Sequence, residues 1–95
     1  MSTYVIMSNL TDEGAKTIKK NPGRIKEVDE EIKKMGIKIL DQYAVLGDYD
    51  FITIVEAEDN TIVKMVIELF SRGTIKTTTY KLIPIDSFIE SLESS

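Results

Sequence analysis

Acidic side chains stand at both ends of the apolar run in VLGDYDFITIVEAED, with Asp48 and Asp50 before it and Glu56, Glu58 and Asp59 after it. Two carboxylates on one substrate could act as general acid and base, or hold Mg²⁺ or Ca²⁺ through oxygen. Spacing argues against both within one chain. The run has the character of a strand, which rises about 3.3 Å per residue, so Asp50 and Glu56 fall roughly 20 Å apart. Nor do Asp48, Asp50 and Glu56 match the spacing of an EF-hand loop. Asp50 therefore reads either as a polar ligand contact at a subunit interface or as a carboxylate satisfying N–H groups of the turn or the neighbouring strand. Asp48 reads as turn chemistry. Glu56, Glu58 and Asp59 lie where a strand passes into a helix, a place where acids favour the helix dipole and Asp59 can serve as a cap.

Two further clusters have the right residue types for binding. Lys16, Lys19, Lys20, Arg24 and Lys26 crowd into KTIKKNPGRIK, which could hold an anion where a helix restarts. Glu27, Asp29, Glu30 and Glu31 follow at once, as on a solvated charged helix face. Tyr43, Tyr49 and Tyr80, with Thr77, Thr78 and Thr79, could line a polar-aromatic pocket, and strand packing accounts for them equally well.

Composition narrows the chemistry further. The 95 residues contain no cysteine and no histidine. Thiolate nucleophiles, disulfides, the usual zinc sites, a proximal-His haem and a Ser-His or Cys-His pair are all excluded together. No catalytic constellation is recognisable and no cofactor site is indicated. A net charge of −4 speaks against nucleic acid as a partner. The opening MSTYVIMSNL lacks a basic signal-like region, and no apolar run approaches the roughly 18 residues of a membrane span, so a cytoplasmic location is expected.

The elements that must position these residues form one domain over residues 1–95. TYVIMSN (Thr3 to Asn9) predicts a strand, after which Thr11 as N-cap, with Asp12 and Glu13 in the first turn, starts a helix. Asn21-Pro22-Gly23 interrupts it, because proline clashes with the carbonyl four residues back. Asn21 as N-cap and Pro22 at the first position would restart the helix, with Ile25, Val28, Ile32 and Met35 as its apolar stripe and Gly36 as its stop. Ile37 to Leu46 and Tyr49 to Ala57 predict two strands joined by a two-residue turn at Gly47-Asp48. Asp59 or Asn60 would cap a second helix from Thr61 to about Arg72, with Ile62, Val66, Leu69 and Phe70 inward and Gly73 closing it. Thr74 to Ile83 is a fourth strand, ended by Pro84. Asp86 would cap a last helical turn whose Phe88, Ile89 and Leu92 fold back on the domain, leaving Glu93 to Ser95 frayed.

The order βαββαβ implies an α+β fold, a four-stranded antiparallel sheet with both helices on one face: the ferredoxin-like plait. Hairpin pairing places Ala44 opposite Phe51 and Tyr43 opposite Ile52. One face then carries Leu40, Ala44, Leu46, Tyr49, Phe51 and Val55. The other carries Ile37, Ile39, Tyr43, Val45, Ile52 and Ile54, interrupted by Asp41, Asp50 and Glu56. Helices cover only one face, and apolar patches larger than a few hundred Å² rarely stay in water. A homodimer or higher oligomer built by packing these sheet faces is therefore expected, with the acid-interrupted face turned toward the partner copy.

LGDYDFITIVEAEDN resembles the Gly-x-Tyr-Asp motif and following strand that give the GYD domain family its name. LTDEGAKTIKKNPGRIKEVDEEIKKMG is similar to that family's first helical region, with its Leu-Thr-x-Glu-Gly start and central Pro, and SRGTIKTTTYKLIPIDSFI resembles its closing strand and tail. The resemblance spans nearly the whole chain and implies a ferredoxin-like domain of the dimeric α/β-barrel type. The motif positions carried over are Gly47, Tyr49 and Asp50, with Glu56 and Ala57 in the following strand. Glu58, where the family often has proline, and Lys81-Leu82 depart from the pattern. A looser similarity links LGDYDFITIVEAED and SRGTIKTTTY to the amino-acid-sensing RAM domain of leucine-responsive-type regulators, where a Gly-and-Asp hairpin lies near an effector pocket between subunits.

Gly47, Tyr49, Asp50, Glu56 and Tyr43 are thus the ligand or interface candidates. The leading expectation is a small-molecule-binding or sensing module with its pocket at a subunit interface. The alternatives are a cofactor-independent, monooxygenase-like enzyme of the same barrel type and a structural protein-interaction module.

Overall fold

A computed structural model describes residues 1–94. Strand β1 (Ser2–Leu10) leads into helices α1 (Asp12–Lys20) and α2 (Arg24–Lys34). Strands β2 (Lys38–Ala44) and β3 (Phe51–Ala57) are followed by helix α3 (Asp59–Ser71), strand β4 (Ile75–Leu82) and helix α4 (Ile85–Glu93). The strands form one antiparallel sheet in the order β2-β3-β1-β4, the ferredoxin-like plait of the dimeric α/β-barrel type. Helices α2 and α3 bury Ile32, Ile62, Met65 and Leu69 against Tyr4, Ile6, Val55 and Ala57 of the two central strands. Burial alternates along β1 and β3 with the period of two that a half-covered sheet requires.

Thr11 caps α1 through its side-chain oxygen, which accepts from the Gly14 N–H. It also donates to the Gly73 carbonyl at 2.9 Å, while its own N–H donates to the Thr74 carbonyl at 3.1 Å. The start of α1 is thereby sewn to the loop between α3 and β4. Gly14 makes that approach possible: a Cβ there would stand 2.0 Å from the Thr74 carbonyl oxygen, well inside contact distance. The break after α1 falls at the proline as expected, but Asn21 does not cap the next helix. α2 starts later, at Arg24, whose N–H bonds the Asn21 carbonyl in a turn, and its N-cap residue Gly23 offers no side chain. Gly36 and Gly73 follow α2 and α3 with φ of +94° and +72°, the left-handed conformation that favours glycine.

An ionic network spans the gap between α2 and α3. Arg72 Nη2 lies 2.6 Å from Glu31 and 3.1 Å from Glu68, and Arg24 Nη1 lies 3.2 Å from both Glu27 and Glu31. The hydrogen bond from Arg72 holds the Glu31 carboxyl below its ordinary range, and the same bond raises the guanidinium.

Several expectations are corrected. The β2–β3 register shifts between Ile39 and Asp41, so Leu40 is an extra residue in a bulge. That extra residue turns Ile39 to the helix side, where it packs on the core with the fully buried Ile37, instead of joining the open face. In α3 the inward position following Ile62 is Met65, fully buried, while Phe70 is exposed. The helix starts at Asp59, and its N-cap residue, Glu58, makes no side-chain capping bond. Helix α4 does not fold back. None of its residues is buried, it begins behind Pro84 without an Asp86 cap, and the molecule extends to 53 × 29 × 19 Å. Glu93 is its last helical residue, and Ser95 lies outside the described residues.

Candidate binding surfaces

Asp50 is anchored at three points. Its carbonyl accepts from the Val45 N–H at 2.8 Å, its N–H donates to the Ser8 carbonyl at 2.9 Å, and its carboxylate Oδ2 accepts from the Leu10 N–H at 2.8 Å. Strand β3 ends one residue short of Asp50, so the carboxylate takes over the partner role for the last residue of β1. This bond is of the kind that one of the two sequence readings expects, a carboxylate accepting from a neighbouring-strand N–H. The closing bond between Val45 and Asp50 also makes the connection longer than a two-residue turn. Leu46, Gly47 and Asp48 are exposed at its tip and Tyr49 is half-buried.

Glu56 stands at the far end of β3, opposite Lys38 on β2 and Thr3 on β1. The facing Lys38 makes an opposite-charge cross-strand pair, which favours the register. Tyr43 stands opposite Ile52, near the hairpin end. The structure thus groups Gly47, Tyr49 and Asp50 at the hairpin, places Tyr43 near them on β2, and keeps Glu56 apart.

Tyr43 and Glu56 share the sheet face that the helices leave open. Because Tyr4, Ile6, Ser8, Thr53, Val55 and Ala57 point under the helices, their neighbours Val5, Met7, Ile52 and Ile54 point the other way. Tyr80 and Leu82 of β4 stand opposite Val5 and Thr3 and extend this surface. Tyr43 and Tyr80 are 57% and 54% exposed, so the face ends in aromatic rings carrying polar tips. It has the features of a binding surface: an aliphatic centre, aromatic margins and few charges.

One cluster escaped the sequence reading. The Tyr4 hydroxyl donates to Asp59 Oδ1, and Lys81 Nζ lies 3.2 Å and 3.1 Å from the two oxygens of the same carboxylate. Asp59 therefore ties the first turn of α3 to β1 and β4 rather than capping its own helix. The strand alternation that puts Tyr4 and Lys81 opposite each other is the only signal that could have located it. Among the described residues no helix is long and apolar enough to cross a membrane.

The fold agrees with known proteins. The chain is 47% identical, over 98% of its length and 100% of the relative's, to the glutamine synthetase and cystathionine beta-lyase binding protein of Thermus thermophilus. Among solved structures, MtbAldR superposes with a TM-score of 0.60 at 21% identity over 87% of this chain, which spans only 52% of that longer protein. The hypothetical protein PHS023 of Pyrococcus horikoshii gives 0.55 at 23% identity, with 88% of this chain and 92% of that one covered. Likeness at these identities concerns the fold. The GYD domain model matches residues 4–92, and the chain accordingly belongs to the GYD domain family.

Proposed function

We propose that this protein is a binding module that pairs with a second copy of itself through the open sheet face and engages a metabolic enzyme as its protein partner. One observation carries the reading: the chain that aligns end to end with a protein named for binding two enzymes also turns a row of aliphatic residues, flanked by the exposed Tyr43 and Tyr80, away from its helix layer. Two such faces packed together would close a barrel and remove Val5, Met7, Ile52 and Ile54 from water. The enzyme-binding surface is then the outside of the pair, where Ile85, Phe88 and Ile89 form an exposed apolar stripe on α4. Glutamine synthetase and cystathionine β-lyase, the partners in the relative's name, are the enzymes to try first.

A titration of each purified enzyme into this protein, followed by calorimetry, tests the reading. Binding is expected with at least one of them at micromolar concentrations, and it should be lost in Phe88→Ser with the self-association intact. No heat with either enzyme would overturn it.

Small-molecule sensing at the subunit interface is the second reading. What supports it is the placement of Tyr43 and Glu56 on the open face, since a second copy laid there brings two of each into one interface beside the hairpins that carry Gly47, Tyr49 and Asp50. A metabolite that raises the melting temperature of the wild type but not of Tyr43→Ala would establish it; a metabolite panel that shifts neither would count against it.

A further inference from the structure

Between the helix layer and the sheet lies a cavity of about 220 Å³, wholly within one protomer and on the opposite side of the sheet from the open face. The chain leaves it for a local reason. The turn at 21–23 separates α1 from α2, and beneath these helices the sheet presents Ser8 and Thr53 where neighbouring core positions carry Ile6 and Val55. Leaving such a volume empty costs stability in proportion to its size. An apolar cavity of about 150 Å³ already admits benzene or xenon, so this one has room for a ring with a substituent.

Most of the wall is aliphatic, with Ile18, Ile25 and Val28 on the helix side, and polar groups enter it at a few points. Arg72 at the edge of this wall is committed through Nη2 to Glu31 and Glu68, and its Nη1 is sealed from the open space. The Thr53 hydroxyl, on a residue 7% exposed, accepts from Gln42 Nε2 at 3.2 Å, which leaves its O–H to donate. Ser8, 5% exposed, adds a second hydroxyl to the same wall. The sheet side of the cavity therefore offers hydroxyl donors. It does not ask for an anion. Asp29, 5% exposed and bonded to Gln42 at 2.9 Å, puts a carboxylate into the wall, and Glu27, Glu31 and Glu68 outnumber Arg24 and Arg72 in the adjoining network.

We infer that this cavity is a binding site for a small uncharged molecule, an apolar body of about one ring carrying a carbonyl-type oxygen that accepts from the Thr53 and Ser8 hydroxyls. The site is independent of both the self-pairing face and the enzyme-binding surface, and nothing in its construction depends on a second copy.

Three probes of similar bulk separate the elements of this assignment: cyclohexanone as the neutral acceptor, cyclohexanecarboxylate as the anion, and xenon as a body without a head group. Each is titrated into the full chain and followed by amide chemical shifts. Cyclohexanone and xenon should shift residues around Ser8, Thr53, Met65 and Leu69 and leave those around Tyr43 and Tyr80 unmoved. Thr53→Val should weaken cyclohexanone about fivefold, the loss expected for one hydrogen bond from a neutral donor, without weakening xenon. Ile25→Phe, which fills the cavity from the helix side, should abolish the response to both. If either variant fails to fold, Ser8→Ala supplies the same comparison, with a smaller loss for cyclohexanone alone. Absence of localised shifts with all three probes, equal affinity of cyclohexanone for wild type and the donor-deleted variant, or tighter binding of the carboxylate than of the ketone would each overturn the assignment.

Discussion

On the helix side of the sheet Tyr4, Ile6, Val55 and Ala57 are at most 5% exposed, whereas on the other side Tyr43 and Tyr80 keep more than half their surface in solvent. The same four strands supply both sides, so the difference does not come from backbone pairing. It comes from what lies above each face. The covered side is crowded by three helices, and several of its polar groups are tied into specific bonds: Thr11 to Gly73, Asp59 to Tyr4 and Lys81, Gln42 to Asp29 and Thr53. The open side keeps aliphatic and aromatic residues turned away from the core that α2 and α3 cover. A face that is apolar and uncovered has the chemistry of an interior cut in half, and burying it stabilises an assembly rather than the fold.

The largest effect should come from breaking the covered side where it is tightest. Gly14→Val puts side-chain carbon into the Thr74 carbonyl, which is backbone and cannot step aside. A loss of about 3 kcal/mol or more is expected, read by urea denaturation, since the strand end, the helix start and the α3–β4 loop must all shift. Asp50→Ala comes next. It leaves the Leu10 N–H without its partner, for an expected loss of about 1–3 kcal/mol and faster hydrogen exchange at that amide. Asp50→Asn, which keeps an acceptor oxygen, should lose less.

A smaller, pH-dependent effect belongs to Glu31. Its bond from Arg72 lowers the carboxyl from its ordinary value of 4.5, so the ionised form contributes stability that is present above that value and lost as pH falls through the lower, folded one. Glu31→Gln should remove that part of the acid sensitivity, seen as a smaller fall in melting temperature between neutral and strongly acid solution. Leu46→Ser at the hairpin tip marks the bottom of the scale. The side chain is fully exposed, and the change should alter stability by less than about 0.5 kcal/mol in the same denaturation experiment.

Much of the frame is legible in the residues themselves, because local rules sufficed for it. The apolar periods, the break at Pro22, the stops at Gly36 and Gly73, the Thr11 cap and the opposition of Ala44 to Phe51 all follow from spacing and turn chemistry. What stayed hidden depends on contacts between distant segments. The bulge at Leu40 exists because β2 and β3 must match registers on both sides of it, and it alone decides that Ile39 faces the helices. Gly14 resembles any helical glycine until the Thr74 carbonyl is known to lie beside it. Asp50 and Asp59 were visible as acids at strand and helix boundaries, but their partners Leu10, Tyr4 and Lys81 come from strands 22 to 55 positions away. Helix α4 shows the same limit from the other side, since an amphipathic pattern says that a stripe wants a cover and not where the cover is.

The claim that the open face is an interface is tested most directly by the mass of the protein in solution. Light scattering at micromolar concentration should give at least twice the monomer mass of 10.7 kDa for the wild type. Ile54→Lys, a charge set in the middle of that face and away from the helix-side core, should return the mass to that of one chain with the circular dichroism spectrum unchanged. A wild type that is monomeric under these conditions, or a variant that keeps the full assembled mass, would contradict the account.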